Sequence, residues 1–212
     1  MKPLIIHPTY FGPIVQWVAM INANKVIFEN EDNYQKQSYR NRMYIYDSNG
    51  KLSLNIPIKH SSSLGREITG KQKYKDVQVE NKFNWQLQHW RGLKASYQTS
   101  PFFEFFEDEL HPLYHTEFKF LMDFNYSCME FVAESLQLEW EFQKTDAFEK
   151  EQFQNKDFRH LVKAKKGIDY QNSKYPQVFA PKLGFIENLS ILDLLFNEGN
   201  AALQYLENQE KL

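Results

Sequence analysis

The sequence predicts an α/β fold: a small sheet containing a parallel strand–helix–strand opening and a hairpin, packed against a mainly helical C-terminal half. Near the start, a helical pattern of apolar residues over 14–24 lies between two short apolar runs, which is the order of a parallel βαβ unit. The pair Asn49-Gly50 separates two alternating runs and indicates a hairpin, because both residues tolerate positive φ. From residue 84 onward, apolar residues recur with helical spacing.

The first part of the chain supplies most of the predicted strands. Short or alternating apolar runs predict strands at 3–6, 25–28, 43–47, 51–58 and 74–80. The first strand ends at a loop in which Pro8, Gly12 and Pro13 interrupt the backbone. Residues 60–73 are polar and predict a further loop.

The remainder of the chain is predicted to be mainly helical. Helices are predicted at 84–98, 102–110 and 116–136, from Ser190 to Gly199, and at 200–208, with a short strand at 138–142 and a loop at 173–185. Residues 145–160 are charged and only weakly patterned. The helix that follows Ser190 has a partial capping box, with Ser190 as N-cap and Asp193 at N3, and Gly199 is expected to end it.

Length and composition limit the class of protein. A chain of 212 residues is expected to form one domain over 1–212. The formal net charge of -2 argues against a nucleic-acid binder. The single cysteine, Cys128, excludes an intramolecular disulfide and a zinc site built from several thiolates. No apolar stretch approaches the roughly 18 residues of a membrane-spanning helix or forms a signal peptide, so we expect a cytoplasmic protein.

The loop after the first strand carries the first candidate site. His7 and Tyr10 lie where a strand ends and a helix begins, the position at which parallel α/β units bind ligands. An imidazole and a phenol can both transfer protons, so both are candidate catalytic residues. The alternative is a turn in which His7 caps backbone groups.

Arg40, Asn41 and Arg42 form the second candidate site. The alternation of side chains along a strand would place both guanidinium groups on one face, where paired forks suit a phosphate or a carboxylate. The alternative is a solvated edge strand whose charges oppose aggregation.

Two further segments carry candidate ligand-binding residues. Trp85 and the candidate catalytic His89 are four residues apart on a predicted helix, and Lys94 follows them. An aromatic ring beside an imidazole could hold a sugar or a nucleobase, or it could simply pack into the core. The polar residues of the last segment could line a pocket or cap the final helix; they are Tyr175, Gln177 and Asn188.

Several familiar chemistries have no signature in the sequence. It contains no Gly-x-Ser-x-Gly, P-loop or Gly-x-Gly-x-x-Gly motif. His111 and His115 have helical i, i+4 spacing, but Pro112 intervenes and no third ligand is evident, so we predict no metal site. The residues leave the cofactor and the oligomeric state open.

Five motifs occur in an order that resembles the WbqC-like protein family over about 200 residues. They are HPTYFGP, KQSYRNR with the following LNIPI, NWQLQHW, YPQVF and NLSILDLLFNEG. The resemblance implies a bacterial cytosolic α/β domain with a link to surface-polysaccharide biosynthesis. Many members of that family have Gln-Pro where this chain has His7-Pro8.

Two functional hypotheses follow. The first is an enzyme that transfers a group on an activated sugar or another phosphate-bearing metabolite, with arginines binding an anionic nucleotide or sugar phosphate and His7, Tyr10 or His89 moving the proton. The second is a non-catalytic ligand-binding or assembly protein in the same pathway.

Overall fold

A parallel four-stranded sheet organises the protein. The computed structural model describes residues 2–59, 71–138, 142–152, 154–165 and 168–212. The strand order is β5-β2-β1-β6, and every neighbouring pair is parallel. The strands are β1 (Leu4–Ile6), β2 (Val26–Phe28), β5 (Phe142–Lys144) and β6 (Lys156–Asp157). The predicted parallel pairing of β1 with β2 is confirmed.

A hairpin forms a second, separate sheet. Strands β3 (Arg42–Asp47) and β4 (Gly50–Asn55) are antiparallel. Gly50 has φ of 112°, a conformation that residues with a Cβ rarely adopt, which explains the Asn-Gly signal. The predicted hairpin is therefore confirmed.

The strand predicted at 74–80 is wrong. Tyr74–Asp76 is instead a 3-10 turn, and the residues after it make single bridges to different segments, Val79 to Ile58 and Gln78 to Phe120. The alternating pattern arises because Tyr74, Val77 and Val79 point into the core without a continuous partner strand. Residues 60–70 of the predicted loop lie outside the described residues.

Seven α-helices are present in the described ranges, and they follow the predicted pattern closely. They are α1 (Ile14–Ile21), α2 (Trp85–Tyr97), α3 (Phe103–His115), α4 (Leu121–Ser135), α5 (Ala180–Leu183), α6 (Ile191–Glu198) and α7 (Ala202–Glu207). Helix α3 runs through Pro112 to His115, beyond its predicted end. The short α5 lies within a predicted loop, and β6 lies within the weakly patterned segment. Strand β5 begins at Phe142, and residues 139–141 of the strand predicted at 138–142 lie outside the described residues.

One aromatic-rich core joins the sheet to the helical half. Helix α1 contacts α6 and α7, and its Trp17 is fully buried. Rings from separate helices meet in this core; for example, Phe103 and Phe196 lie 5.1 Å apart between centroids. Burying large aromatic side chains supplies much of the hydrophobic free energy of folding, so the helical half holds the small sheet in place.

The predicted capping box at α6 is only half formed. Ser190 Oγ accepts a hydrogen bond from the Leu192 backbone N–H at 3.4 Å, as an N-cap should. The backbone N–H of Ser190, however, donates to Tyr44, and the Asp193 side chain turns inward towards Tyr97 and Tyr175. The role predicted for Asp193 at N3 is therefore wrong, because buried phenols compete for its carboxyl group.

Candidate functional site

An open cleft of about 300 Å³ lies at the carboxyl ends of β1 and β6. Polar residues make up most of its lining: His7, Asp32, Gln35, Asp157, Arg159, His160 and Lys163. His7 directly follows β1, and Asp157 ends β6. Side chains that follow neighbouring parallel strands meet at one edge of the sheet, which is where open α/β sheets bind their ligands.

A buried cluster of His7, Asp32 and Arg40 forms one wall of the cleft. Arg40 Nη2 lies 2.9 Å from Asp32 Oδ2 and 2.6 Å from His7 Nε2. The Arg40 side chain is fully buried behind the other two residues, which line the cleft. The second oxygen of Asp32 accepts the backbone N–H of Asn33. The predicted candidates His7 and Arg40 are therefore in direct contact.

Burial and the guanidinium of Arg40 keep His7 neutral. Arg40 has only donors, so the nitrogen 2.6 Å from it, His7 Nε2, must be the acceptor. Burial, together with the positive charges of Arg40 and Arg159, holds the pKa of His7 well below its ordinary value. His7 is therefore neutral, with its proton on Nδ1, and its accepting nitrogen is already in use.

Donors exceed acceptors in this cluster. Arg40 Nε and Nη1, and His7 Nδ1, have no hydrogen-bond acceptor among the described residues, although all three atoms are buried. A buried donor without a partner costs about 1–3 kcal/mol. Of these two residues only His7 lines the cleft, so the unpartnered Arg40 nitrogens are not available to a ligand bound there.

Arg159 joins several segments around the cleft through hydrogen bonds, but it has no donor left to bind an anion. Its guanidinium donates to both oxygens of Asp157, to Glu29 Oε2 and to the backbone oxygens of Glu149 and Lys150. These bonds use all five N–H groups of an arginine. The hydrogen bond from Arg159 lowers the pKa of Asp157, so Asp157 is a poor proton acceptor.

The cation and the aromatic ring that are available to a ligand lie at the rim. Lys163 is exposed and has no ion pair within the described part of the chain, and the exposed His160 lies in the same lining. Phe148, 42% exposed, also lines the cleft. The rim therefore offers one free positive charge and one accessible ring.

Tyr10 and His89 are hydrogen-bonded to each other, but neither residue lines the cleft. The Tyr10 hydroxyl lies 2.9 Å from His89 Nδ1 and 2.8 Å from the Tyr114 hydroxyl, all within the core. Burial lowers the pKa of His89 to about 4. Trp85 is buried against His89 and Phe124. None of these residues lines the cleft, and their contacts are those of a core network.

The two arginines of the second candidate site do not share a face. Arg40 precedes β3 and is buried, whereas Arg42 begins β3 and donates to Asn55 Oδ1 at 2.6 Å and to the Tyr44 hydroxyl. The predicted pairing of both guanidinium groups is therefore wrong, because the strand starts only at Arg42. Asn41 bonds the Ile56 backbone oxygen.

The remaining candidates make contacts elsewhere in the fold. Lys94 pairs with Glu107 of α3 at 2.7 Å on the surface. Tyr175 and Gln177 both donate to Asp193 Oδ2, at 2.6 and 3.0 Å. Asn188 Oδ1 accepts the Val15 backbone N–H at the start of α1. These residues join segments of the fold and do not line the cleft described above.

Comparisons with known proteins agree with the motif resemblance. The WbqC-like protein family matches residues 8–174 and 150–205 of the chain. The chain belongs to this family. Rv1507c, an uncharacterised protein of Mycobacterium tuberculosis, is 25% identical over 239 residues, which cover 97% of this chain and 98% of that relative. No solved structure matches the chain significantly.

The family match includes most of the cleft of this WbqC-like protein. Asp32, Arg40 and Arg159 lie within the matched ranges, and His7 lies immediately before them. Sequence reasoning missed Asp32, which lies in the polar loop after β2 and not directly at the end of the strand. It also missed Arg159, because β6 is a two-residue strand that produces no detectable periodicity.

The described ranges contain neither a metal-binding cluster nor a membrane-spanning helix. Three or more side chains of the metal-binding kind do not come together anywhere in them. The rings of His111 and His115 stack 3.5 Å apart on α3, without a third ligand in the part of the chain described. None of the helices seen has the length and apolar character needed to traverse a bilayer.

Proposed function

We propose that this protein is a group-transfer enzyme that binds a phosphate-bearing metabolite, such as an activated sugar, in the cleft at the carboxyl ends of β1 and β6. The observation that carries the proposal is the buried His7–Asp32–Arg40 cluster at this edge of the sheet. The cluster presents His7 and the Asp32 carboxylate to the cleft, and Lys163 supplies a free positive charge there that suits a phosphate. The link to surface-polysaccharide biosynthesis rests on the family resemblance.

Asp32 is the best-placed proton acceptor for such a reaction. It lines the cleft with a side chain that is 11% exposed, and its Oδ2 lies 2.9 Å from one Nη atom of Arg40 and 3.1 Å from His7 Nε2. Asp157, the other lining carboxylate, is held by Arg159 in a bidentate pair. In the proposed step, an acceptor hydroxyl or amine loses its proton to Asp32 and forms a bond to the transferred group. The bond from that group to the phosphate breaks, and the phosphate leaves with the electron pair.

A non-catalytic binding protein is the second candidate. It is favoured by the protonation of His7, whose accepting nitrogen is occupied by Arg40 and is therefore not free to act as a base. Under this hypothesis the same cleft binds the same class of ligand, but Asp32 serves only to hold Arg40 in place.

Calorimetric titration with matched lysine variants tests the proposal. The ligands are nucleoside diphosphate sugars, sugar 1-phosphates and inorganic phosphate. Lys163→Gln should weaken binding of the best ligand by roughly tenfold, the lower end of a charge-assisted interaction. Lys165→Gln is the control, since Lys165 is exposed but does not line the cleft. Equal affinities of both variants for every ligand would contradict the proposal.

Turnover separates the two candidates. Asp32→Asn keeps the size of the side chain but removes its ability to take a proton. The enzyme hypothesis expects this variant to retain ligand binding and to lose turnover of the bound sugar nucleotide in the presence of acceptor alcohols or amines. Turnover that is undiminished in the Asn variant would exclude Asp32 as the base, and absence of turnover in the wild type would favour the binding protein.

A further inference from the structure

We infer that the ligand of this cleft is a nucleotide whose base stacks on Phe148, rather than a sugar phosphate that lacks a base. The inference rests on the proposed function, because it names the class of phosphate-bearing ligand for the same site. It draws on three features of the cleft: the exposure of Phe148, the arginine against one face of its ring, and the free lysine Lys163.

Phe148 presents an apolar ring within a mostly polar cleft. The residue is 42% exposed, whereas most large aromatic residues in the described ranges are buried or nearly so. Leaving a phenylalanine in water forgoes the free energy of burial, about 1.5–3 kcal/mol for a fully buried side chain. A ring at the wall of a cleft regains that free energy when a flat ligand covers it.

The guanidinium of Arg159 lies against one face of this ring. Its guanidinium carbon lies 5.1 Å from the centroid of the Phe148 ring. Because Asp157, Glu29 and two backbone oxygens occupy all the donors of Arg159, the guanidinium is itself immobilised. The ring therefore rests on a rigid charged support, and such preorganisation reduces the entropy lost on binding.

The positive charge on one face of the ring favours a nucleobase over a sugar at the other face. A cation on one face of an aromatic ring attracts the negative charge of its π-system. The opposite face is then less negative, which weakens its attraction for the C–H groups of a sugar and favours offset stacking with the π-system of a base. Lys163 lies in the same cleft and can pair with the phosphates attached to that base.

Competing ligands with and without a base test this inference. The probes are UDP, ADP and GDP, compared with pyrophosphate and glucose 1-phosphate, each titrated calorimetrically. Phe148→Leu removes the π-system but keeps an apolar side chain. It should weaken binding of the preferred nucleoside diphosphate by roughly 5- to 100-fold, the range for one stacked base. Binding of pyrophosphate and glucose 1-phosphate should be unchanged.

Two control variants make the result specific. Phe148→Trp should retain the nucleotide affinity of wild type, because the indole also offers a flat ring. Phe105→Leu alters a residue that is 65% exposed and lies outside the cleft, so it should have no effect. Nucleotide binding that is equal in wild type and Phe148→Leu, but weaker in Lys163→Gln, would overturn the stacking inference and leave the proposed function standing. If wild type binds none of the phosphate-bearing probes, both are overturned.

Discussion

Replacing Asp193 by Ala should destabilise the protein strongly, because this carboxyl group joins α6 to two distant segments. It is fully buried and accepts hydrogen bonds from Tyr97 at 2.6 Å, Tyr175 at 2.6 Å and Gln177 at 3.0 Å. Removing it leaves three buried donors without this acceptor, each costing about 1–3 kcal/mol. Relief of the buried charge offsets part of that cost. We expect the free energy of unfolding to fall by about 3–5 kcal/mol, whereas the whole free energy of unfolding of a domain is typically about 5–15 kcal/mol.

Denaturant unfolding followed by tryptophan fluorescence measures this loss. Glu187→Ala is the matched control, since Glu187 is an exposed acid close to the same helix, and it should change the free energy of unfolding by no more than about 0.5 kcal/mol. An Asp193→Ala variant whose unfolding free energy lies within about 1 kcal/mol of wild type would refute the argument.

The pH dependence of the Asp193→Asn variant gives a second test of the same cluster. Burial raises the pKa of Asp193 above its ordinary value. The contribution of this group to stability is therefore complete below the unfolded-state pKa of about 3.9 and declines as pH rises through the folded-state pKa. Asparagine does not titrate, so its stability relative to wild type should increase with rising pH. A difference that is the same at every pH would show that Asp193 is not perturbed by burial.

Two further predictions concern the cleft and the packing of the helical half. His7→Gln should keep an acceptor for Arg40 and remain close to wild type in stability, whereas His7→Leu leaves another buried donor unpaired and should cost about 1–3 kcal/mol. Because the pKa of His7 is depressed, wild type should lose stability relative to His7→Gln as pH falls below 6.5, and parallel curves would contradict this. Gly199→Ala should cost about 1–3 kcal/mol more than Gly50→Ala, since both have positive φ but only a Cβ at 199 would lie 2.5 Å from Phe102. If chemical unfolding shows the same loss of stability for Gly199→Ala and Gly50→Ala, Phe102 moves aside freely and the argument is wrong.

Much of the fold could be predicted because it follows local patterns. Apolar periodicity or turn residues in the sequence predict the βαβ opening, the hairpin and the main helices. Strand β6 could not be found in this way, because a two-residue strand has no period and is defined by its pairing with β1. The segment at 74–80 shows the opposite case: its apolar residues alternate as in a strand, but no continuous partner strand lies beside it, so no strand forms.

The candidate site was only partly predictable. His7 was found because it follows a strand, and Arg40 because of its motif. Tyr10 and His89 have equally suitable chemistry, yet they bond each other inside the core, which no local pattern reveals. Asp193 bonds Tyr97 across 96 residues, so its tertiary role was hidden behind a helix-cap pattern. Phe148 lies on a segment without periodicity, and its place in the cleft depends on Arg159.

The central claim is that the cleft beside His7 and Asp32 is the ligand site, and a crystal structure with a nucleoside diphosphate sugar tests it most directly. Our account predicts a ligand at the carboxyl ends of β1 and β6, with its phosphates near Lys163 and its base against Phe148. A second cleft, lined by Asn22 and Lys156, lies at the opposite ends of the same strands. A ligand bound there, with the cleft beside His7 empty, would contradict the account.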